Sequence, residues 1–397
     1  MVFVTSVDVV IVGGGIEGAA AAWALTRRGA GSVAVLERAT VGSGGTGKSS
    51  GIVRCHYGIP SLAAMAWKGV ALFENAREVL GEEIGFEQTG YVVGVGASNV
   101  AALDANVAMQ QALGIETRLI SPDDVAALWP YADLSDFSAF AYEPRGGHGD
   151  GYRTAQAFAA AARRTGAVVR QNTLVTDVLV DGGRVTAVRL ADGTTLATGS
   201  VVVAAGPWSV ALVQPLGIDL PVRACREQIL LIKPGVPTGR FPVFSDLVSL
   251  QYVRAEASGE LLFGNSDLSV LEWADPDGYR NTADPEFTER AVEKLAHRFP
   301  GLGDAAIASS YAGCYDVTPD FNPVISATPV GGLFVAAGFS GHGYKISPAV
   351  GELIADLVCD GVSGDPLIPE TDFRLTRFAE GFPLVSPNPY LGAGQLR

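Results

Sequence analysis

A glycine-rich turn near the start of the chain limits its fold more than any other feature of the sequence. Residues 13–18 read GGGIEG, which satisfies the GxGxxG pattern. In that pattern Gly13 makes a tight turn, Gly15 lets the backbone approach a pyrophosphate, and Gly18 lets a helix pack closely on a strand. The apolar run 7–12 precedes the turn and an alanine-rich stretch follows it, so the sequence predicts a strand, a turn and a helix.

An acidic residue after the next predicted strand supports a dinucleotide site at this turn. Glu37 closes the apolar run 33–36, about 20 residues beyond the turn, where a carboxylate accepts ribose hydroxyl groups. The N–H groups and the positive potential at the helix N-terminus would bind the phosphates. The pattern occurs once, whereas an enzyme that uses both FAD and NAD(P) usually carries two such turns. We therefore predict one tightly bound FAD rather than a dissociable nicotinamide.

A second glycine-rich loop matches a different nucleotide motif. Residues 42–49 read GSGGTGKS and satisfy GxxxxGK[ST], in which Lys48 would contact phosphates and Ser49 would bind magnesium. A P-loop leads into a helix, but residues 50–54 read SGIVR, a β-like stretch broken by Gly51. The sequence favours a chance match, and a P-loop NTPase is kept only as the alternative from a different functional class.

Charge and cysteine content narrow the class of protein. The 28 basic and 42 acidic residues give a net charge of −14, which disfavours nucleic acid or an anionic membrane as the main partner. No run reaches the ~18 apolar residues of a membrane span. The four cysteines show neither CxxC nor Cys/His ligand spacing, so we predict reduced thiols, no metal site and a cytoplasmic protein.

Nucleotide-domain patterns recur at the start, in the middle and near the end of the chain, with strand-rich segments between them. We therefore predict an α/β fold in which a Rossmann-type FAD-binding domain is interleaved with an α+β substrate domain built on an antiparallel sheet. The predicted segments of the FAD-binding domain are 1–84, 149–218 and 318–397, and those of the substrate domain are 85–148 and 219–317. Within them we expect a polar loop over 121–130, hairpin turns at 181–183 and 192–193, and a last helix over 348–360.

Three motif regions together resemble the FAD-dependent D-amino-acid oxidase, glycine oxidase and sarcosine oxidase superfamily. They are the glycine turn, the loop 44–57, and residues 336–345, which read AAGFSGHGYK and are the most specific of the three. Shorter matching pieces at 149–166, 201–208 and 318–320 extend the likeness over nearly the whole chain. Sarcosine oxidases and dehydrogenases are the members that the chain resembles most.

The resemblance implies that FAD lies across the interface of the two domains, with substrate bound over one face of the flavin. Cofactor contacts would come from the glycine turn, the second strand, the loop after it, the mid-chain strand and the terminal motif. By position these residues are Gly13, Gly15, Ile16, Glu17, Gly18, Glu37, Arg38, Gly44, Gly45, Thr46, Lys48, Ser49, Ser50, Gly51, Val175, Ala205, Gly206, Trp208, Gly338, Gly341, His342, Gly343, Tyr344 and Lys345.

The resemblance also implies a basic pair that binds a substrate carboxylate. Arg54 and Lys345 match the residues with this role in sarcosine-oxidase-like enzymes, where Arg makes a bidentate pair and Lys a point-charge contact. The alternatives are a surface cation for Arg54 and a helix-flanking one for Lys345. Tyr252 would line the pocket, or else pack in the core. Hydride transfer from the C–H next to nitrogen to flavin N5 depends more on positioning than on a strong acid or base.

Several positions depart from the monomeric sarcosine oxidases. Leu262 and Ser266 stand where those enzymes carry a lysine linked to oxygen activation and a pocket histidine, which leaves open oxygen or an electron carrier as the acceptor. Gly313 replaces their flavin-linked cysteine and Cys314 is one position away, so we expect non-covalent FAD. Spacing within the loop 44–57 is more like the β subunit of multi-subunit sarcosine oxidases, which leaves open a partner subunit.

The resulting functional prediction is FAD-dependent oxidation of a small amino acid amine to an imine that hydrolyses. Sarcosine or another N-substituted glycine is the first candidate substrate. A D-amino-acid, glycine or proline-type oxidase or dehydrogenase stays open, as does a flavin-bearing subunit of a multi-subunit amine dehydrogenase. His56 and His148 receive no role and are expected to be solvated loop residues.

Overall fold

The computed structural model describes residues 6–267, 269 and 271–392, so the ends of two predicted segments, residues 1–5 and 393–397, lie outside the described residues. Its strands are β1 Val9–Val12, β2 Val33–Leu36, β3 Ile52–Val53, β4 Tyr91–Val95, β5 Arg118–Ile120, β6 Ala139–Glu143, β7 Gly147–His148, β8 Val168–Arg170, β9 Val175–Asp181, β10 Arg184–Leu190, β11 Thr195–Ala197, β12 Ser200–Val203, β13 Arg223–Lys233, β14 Val243–Asp246, β15 Gln251–Ala255, β16 Leu261–Asn265, β17 Glu272–Trp273, β18 Ala306–Val317, β19 Val324–Ala327 and β20 Leu333–Ala337. Its α-helices are α1 Ile16–Arg28, α2 Pro60–Glu74, α3 Ala76–Val79, α4 Val100–Ala112, α5 Pro122–Leu128, α6 Gly151–Arg164, α7 Ser209–Val213, α8 Pro285–Arg298 and α9 Gly343–Cys359.

The glycine turn belongs to a six-stranded sheet with the order β19-β20-β12-β1-β2-β8. Neighbouring strands in this sheet are parallel except β19, which is antiparallel to β20. Every residue of β1 and β2 is buried, as expected for parallel strands that are covered on both faces. Because β1 lies in the interior of the sheet, the turn that follows it opens at the carboxyl edge of the parallel strands, where such folds bind their ligands.

Alternate residues of β1 face two different cores. Val9 and Ile11 pack in a core shared with helices α1, α2, α6 and α9. Val10 and Val12 pack in a second core against the three-stranded sheet β11-β10-β9. The predicted hairpin turns join β9 to β10 and β10 to β11, whose pairings are antiparallel. The sheet is therefore covered on both sides, and the turn after β1 is held by packing on each face.

The second large sheet has the order β17-β13-β16-β15-β14-β4-β6-β5, and β18 also pairs with β13. Its pairings are antiparallel except that of β14 with β4. Phe244, Phe263 and Leu295 belong to a core between this sheet and helices α5 and α8. Tyr252 belongs to a separate core with Tyr91. One face of the sheet is thus closed by helices, and the other carries the tyrosines described below.

Strands of the two large sheets alternate along the chain. The six-stranded sheet takes its strands from 9–36, 168–203 and 324–337, and the second sheet takes its strands from 91–143 and 223–317. The predicted α/β architecture with a parallel and an antiparallel sheet is confirmed. The alternation supports the five-segment domain division, whose boundaries stay a prediction.

The prediction of a polar loop over 121–130 is wrong, because this segment contains helix α5. The hydroxyl of Ser121 accepts a hydrogen bond from the Asp124 N–H at 3.1 Å, and the Asp124 carboxylate accepts one from the Ser121 N–H at 3.1 Å. This reciprocal pair is a capping box, and Pro122 occupies the first helical position. The polar residues that suggested a loop are the signals that start the helix.

The last helix, α9, begins at Gly343, five residues before the predicted start at Pro348. Pro348 lies inside the helix and has no N–H to offer the carbonyl of Tyr344. The hydroxyl of Ser347 donates to that carbonyl at 2.9 Å and so satisfies it. The end of the glycine-rich motif, from Gly343 onward, is therefore the first turn of α9, and residues 338–342 form the loop before it. Neither α9 nor another helix in the described part of the chain is long and apolar enough to cross a membrane.

Candidate cofactor and substrate site

The glycine turn after β1 can be made only by residues that lack a side chain. Gly13 has a φ of +107°, and a Cβ there would lie 2.4 Å from the carbonyl oxygen of Ala204. A Cβ on Gly18 would lie 2.0 Å from the carbonyl oxygen of Gly13. Helix α1 therefore starts directly against the strands, and Gly15 and Ile16 at its beginning line a cavity.

Glu37 holds the backbone at the carboxyl end of β2. Its Oε2 atom accepts a hydrogen bond from the Gly14 N–H at 2.6 Å, and its Oε1 atom accepts one from the Ala39 N–H at 2.8 Å. Each carboxylate oxygen keeps a further lone pair, so Glu37 can also accept hydroxyl groups. Arg38 follows it and lies over the ring of Trp208, at 3.8 Å from the centroid. Glu37, Arg38, Ala39 and Trp208 all line the cavity.

The cavity has a volume of about 670 Å³ and runs from the glycine turn to β18 of the second sheet. It is long enough to join the two sheets, because its wall includes the ends of β1 and β2 as well as Cys314 and Tyr315. The sequence-predicted cofactor residues that line it are Gly13, Gly15, Ile16, Glu17, Glu37, Arg38, Gly44, Gly45, Thr46, Ser49, Val175, Ala205, Gly206, Trp208, Gly341, Gly343 and Tyr344.

The remaining predicted cofactor residues do not line this cavity; they are Gly18, Lys48, Ser50, Gly51, Gly338, His342 and Lys345. Two of these glycines shape the backbone around the cavity. Gly51 has a φ of +66°, and a Cβ there would lie 1.9 Å from the carbonyl oxygen of Gly149. Gly338 has a φ of +78° and donates its N–H to Asp316 Oδ2 at 2.6 Å.

Lys48 points away from the cavity, which removes the support for the P-loop alternative. Its ammonium group donates to Asn281 Oδ1 at 2.9 Å and contacts the hydroxyl of Tyr279. Residues Gly45–Lys48 form a 3₁₀ turn that leads into extended backbone and β3, whereas a phosphate-binding P-loop leads into a helix. The match to GxxxxGK[ST] is a chance match in a glycine-rich loop.

Two carboxyl groups lie together at the wall of the cavity. Both Glu17 and Asp316 are buried, and neither carboxylate oxygen of Glu17 has a hydrogen-bond partner among the described residues. Burial and then the charge of Asp316 raise the pKa of Glu17 well above its ordinary value. Burial also raises the pKa of Asp316 to about 6. A protonated Glu17 can donate a hydrogen bond, so its unpaired group fits a polar cofactor in the cavity.

Arg54 and Lys345 form a buried pair of cations. Their exposed fractions are only 6% and 5%, so neither is the surface or helix-flanking cation of the alternative interpretation. Neither makes an ion pair with a carboxylate in the part of the chain that the structure describes. Burial and then the charge of Arg54 lower the pKa of Lys345 well below its ordinary value. Because burial and Arg54 disfavour the charged form of Lys345, a bound anion would stabilise the pair, so this arrangement fits a site for an anion.

The guanidinium of Arg54 is held by its neighbours in sequence. It donates a hydrogen bond to the carbonyl of His56 and lies over the ring of Tyr57, at 4.4 Å from the centroid. The Tyr57 hydroxyl meets His342 Nδ1 at 3.2 Å. Glu143 accepts a hydrogen bond from the Cys55 N–H at 2.7 Å, and burial raises the pKa of its carboxyl to about 7.

The expectation of solvated loop histidines is wrong for both His56 and His148. His148 lies on β7, is buried, and meets the guanidinium of Arg254 at 3.2 Å. His56 is buried next to Arg54. Burial and then a neighbouring arginine charge lower the pKa of each imidazole to about 3, so both rings are neutral at neutral pH. Their backbone context gave no sign of burial, because the covering groups come from distant segments.

Tyr252 lies on β15 and is buried, with its ring packed in the space left by Gly264 on β16. The two residues pair in register, and a Cβ on Gly264 would lie 1.9 Å from the Tyr252 ring. The Tyr252 hydroxyl shares hydrogen bonds with Ser50 and with Tyr315. Because Ser50 lies just before the segment that carries Arg54, this contact links Tyr252 and Tyr315 to that segment.

Several residues at the site were not predicted to belong to it, among them Tyr315 and Asp316 on the cavity wall and Glu227 near Tyr315. The ring of Tyr315 packs on Gly341, where a Cβ would lie 2.7 Å from it. Glu227 pairs in register with Gly313 on β18, and burial raises the pKa of its carboxyl to about 8. The available signal was the period-two alternation of Gly313 and Tyr315 along β18, which places both on one face of the sheet.

The fold and the cavity define a class of protein. A Rossmann-type sheet, a turn that excludes side chains, a carboxylate at the end of β2 and a long cavity that reaches an antiparallel sheet are the parts of a flavin-dependent oxidoreductase. The family model described as DAO, FAD dependent oxidoreductase, matches residues 8–357. The chain belongs to this family, and its cofactor is FAD.

Individual relatives cover almost the whole chain. Sarcosine oxidase subunit beta of Rhodobacter capsulatus is 30% identical over 384 residues, which are 94% of this chain and 89% of that protein. Sarcosine oxidase subunit beta of an Arthrobacter species is 29% identical over 95% of this chain and 92% of its own. Among solved structures, the L-proline dehydrogenase of P. horikoshii has a TM-score of 0.87 and 27% identity, covering 95% of this chain and 99% of its own.

Proposed function

We propose that this enzyme oxidises the amine of a small amino acid to an imine that then hydrolyses, with sarcosine or another N-substituted glycine as the first candidate substrate. The observation that carries the proposal is the buried pair of Arg54 and Lys345, which has no counter-ion among the described residues. An amino acid brings the carboxylate that such a pair lacks, and a simple amine does not.

The protein side of the reaction is positioning. Arg54 would hold the carboxylate through two parallel hydrogen bonds and Lys345 through a point charge. With the carboxylate fixed, the C–H next to nitrogen has one orientation relative to the cavity, whose wall includes Tyr315. FAD held by the glycine turn and Glu37 would supply the acceptor for the hydride lost from that carbon. In this scheme the substrate amine must be neutral, and the protein needs no strong base.

Two observations favour particular versions of this function. Similarity to sarcosine oxidase β subunits supports a substrate with a secondary amine and a partner subunit. Structural similarity to an L-proline dehydrogenase supports a cyclic secondary amine, with electrons passed to a carrier rather than to oxygen. A D-amino-acid or glycine oxidase is the further alternative. All four cysteines are free, which agrees with the proposed cytoplasmic location.

The first experiment follows the visible spectrum of the purified holoenzyme under anaerobic conditions. Sarcosine, proline and D-amino acids are added in turn, and each is compared with a secondary amine that lacks a carboxylate. We expect a carboxylate-bearing secondary amine to bleach the flavin band at least about 100-fold more efficiently than the matched amine. Equal bleaching by both would contradict the role of the basic pair. If no tested compound bleaches the band, repeating the additions in the presence of candidate partner chains separates a missing partner from a different substrate.

A further inference from the structure

The segment 384–391, here termed the C-terminal strap, runs from the FAD-binding part of the molecule to helix α4. At one end, the Leu384 N–H donates to Asp320 Oδ2 and the Leu384 carbonyl accepts from Asn322, both at 2.9 Å. In the middle, the Ser386 hydroxyl donates to the carbonyl of Gly58 at 3.1 Å. At the far end, the side chains of Asn99 and Asn106 on or beside α4 bind the strap backbone at 2.7 to 3.1 Å.

One side chain of the strap enters the molecule. Tyr390 is 3% exposed, whereas the next residue, Leu391, is 67% exposed. The ring of Tyr390 stacks on His56 with a centroid distance of 5.8 Å and an interplanar angle of 22°. Its hydroxyl meets His56 Nε2 at 2.6 Å and also shares a hydrogen bond with Asn106.

The polar groups around His56 define its protonation state. The side-chain amide of Gln110, on α4, lies 3.4 Å from His56 Nδ1 and donates to the carbonyl of Tyr57 at 3.0 Å. Burial lowers the pKa of His56 to about 3, so the ring is neutral. Nδ1 faces the Gln110 amide and, at 4.0 Å, Glu143 Oε1, while the hydrogen-bond partner of Nε2 is the Tyr390 hydroxyl.

The same short segment carries Arg54. The backbone from 54 to 58 is bonded from outside at successive positions, by Glu143 at the Cys55 N–H, by Gln110 at the Tyr57 carbonyl and by Ser386 at the Gly58 carbonyl. The one carbonyl of this run that binds the guanidinium of Arg54 is that of His56, whose ring is clamped by Tyr390. The strap therefore contacts the residue whose carbonyl binds the guanidinium.

We propose that Tyr390 is a positioning residue for substrate binding, acting through His56 on Arg54. This inference rests on the proposed function, because it assigns to Arg54 the carboxylate of the substrate. Loss of the Tyr390 hydroxyl leaves the buried Nε2 atom of His56 without its hydrogen-bond partner, which frees the His56 backbone to move and loosens the guanidinium. The effect falls on carboxylate binding and spares both cofactor binding and the chemistry of the amine.

The test uses the full-length holoenzyme with Tyr390→Phe and Tyr390→Ala, and with Leu391→Ala as the matched control on the same strap. Binding of propionate, a carboxylate without an amine, is measured by its perturbation of the flavin spectrum. KM and kcat are measured with the carboxylate substrate and with the matched amine that lacks a carboxylate. Flavin content and melting temperature are recorded for each variant.

We expect Tyr390→Phe to raise the propionate Kd and the KM of the carboxylate substrate by about 5- to 10-fold, which is the loss of one buried hydrogen bond. Kinetics with the carboxylate-free amine, flavin content and the Leu391→Ala control should stay unchanged. The inference is overturned if Tyr390→Phe binds propionate as the control does, or if both substrates and the flavin content fall together, since that is the signature of a structural role. Should Tyr390→Ala fail to fold, Tyr390→Phe alone decides.

Arg54→Ala, measured in parallel, separates the two hypotheses. If Arg54→Ala loses propionate binding while Tyr390→Phe keeps it, only the positioning role is wrong. If Arg54→Ala keeps propionate binding, the carboxylate site of the proposed function is wrong and the inference falls with it.

Discussion

The cofactor cavity and the proposed substrate site of this enzyme are built by opposite means. The cavity is shaped by missing side chains, as at Gly13 and Gly18, where a single carbon would meet backbone oxygen atoms. The proposed substrate site is formed by two buried basic side chains, Arg54 and Lys345. A site lined by backbone atoms cannot accept an added side-chain carbon. A site lined by basic side chains can accept a change in side-chain volume but not the loss of a basic group. The two regions should therefore fail in different ways when single residues are changed.

The largest effect is expected on the cofactor side, from Gly18→Ala. The added carbon would lie 2.0 Å from the carbonyl of Gly13, so α1 must move away from β1. We expect loss of flavin from the purified protein and a large drop in melting temperature. The control is Gly199→Ala, where a Cβ would meet no atom within 4 Å. Full flavin content in the Gly18→Ala variant would show that the turn can accept a side-chain carbon at this position.

On the substrate side, Arg54→Ala should leave flavin content unchanged and lower kcat/KM for the carboxylate substrate by about 100- to 1000-fold. The reason is the loss of one partner of a buried charge pair, which costs about 3 to 4 kcal/mol. Arg240, whose side chain is 78% exposed, provides the control Arg240→Ala. An equal decline for a substrate without a carboxylate would contradict the assignment.

A smaller effect, and one with a pH signature, is expected from Glu143→Gln. Burial raises the pKa of Glu143 from an ordinary value of 4.5 to about 7, so the folded state keeps its proton where the unfolded state has lost it. The wild-type protein therefore loses stability as pH rises from about 4.5 to 7, by about 2 to 3 kcal/mol. The glutamine variant lacks this loss, and its unfolding free energy relative to wild type should rise between pH 5 and pH 8. A constant difference across that range would show that Glu143 is ionised in the folded state.

The smallest of these effects is expected from Glu37→Gln, again on the cofactor side. A neutral amide keeps the shape of the site but has only one acceptor oxygen, so it loses one of the two hydrogen bonds from Gly14 and Ala39, and it removes the charge offered to ribose hydroxyls. We expect FAD to bind about 10-fold more weakly, as measured by flavin fluorescence on titration of the apoprotein. Glu82, an exposed residue that forms an ion pair with Arg164, provides the control Glu82→Gln. If Glu37→Gln binds FAD as tightly as the control, the carboxylate serves only the protein backbone.

The difference between the two regions also explains what the sequence could predict. The strand 33–36, the glycine turn and Glu37 carry their signals within about 20 residues, and the structure has each of them where it was predicted. The burial of His56 carries no local signal, because its covering ring comes from Tyr390, 334 positions later. Helix α5 was missed for another reason, since its capping residues are also common in loops.

The division of the six-stranded sheet among three stretches of the chain has a consequence for biosynthesis. β1 and its glycine turn are synthesised before β12, which starts at residue 200, and before β20, which starts at residue 333. One edge of β1 is open until β12 has been made, and the cavity lacks its wall at α9 until α9 has been made. FAD can therefore be captured only late in synthesis, and the nascent chain must spend that interval with apolar strand edges exposed. Cells that make this enzyme should accumulate aggregated chains when chaperone capacity is limited, even when flavin is abundant.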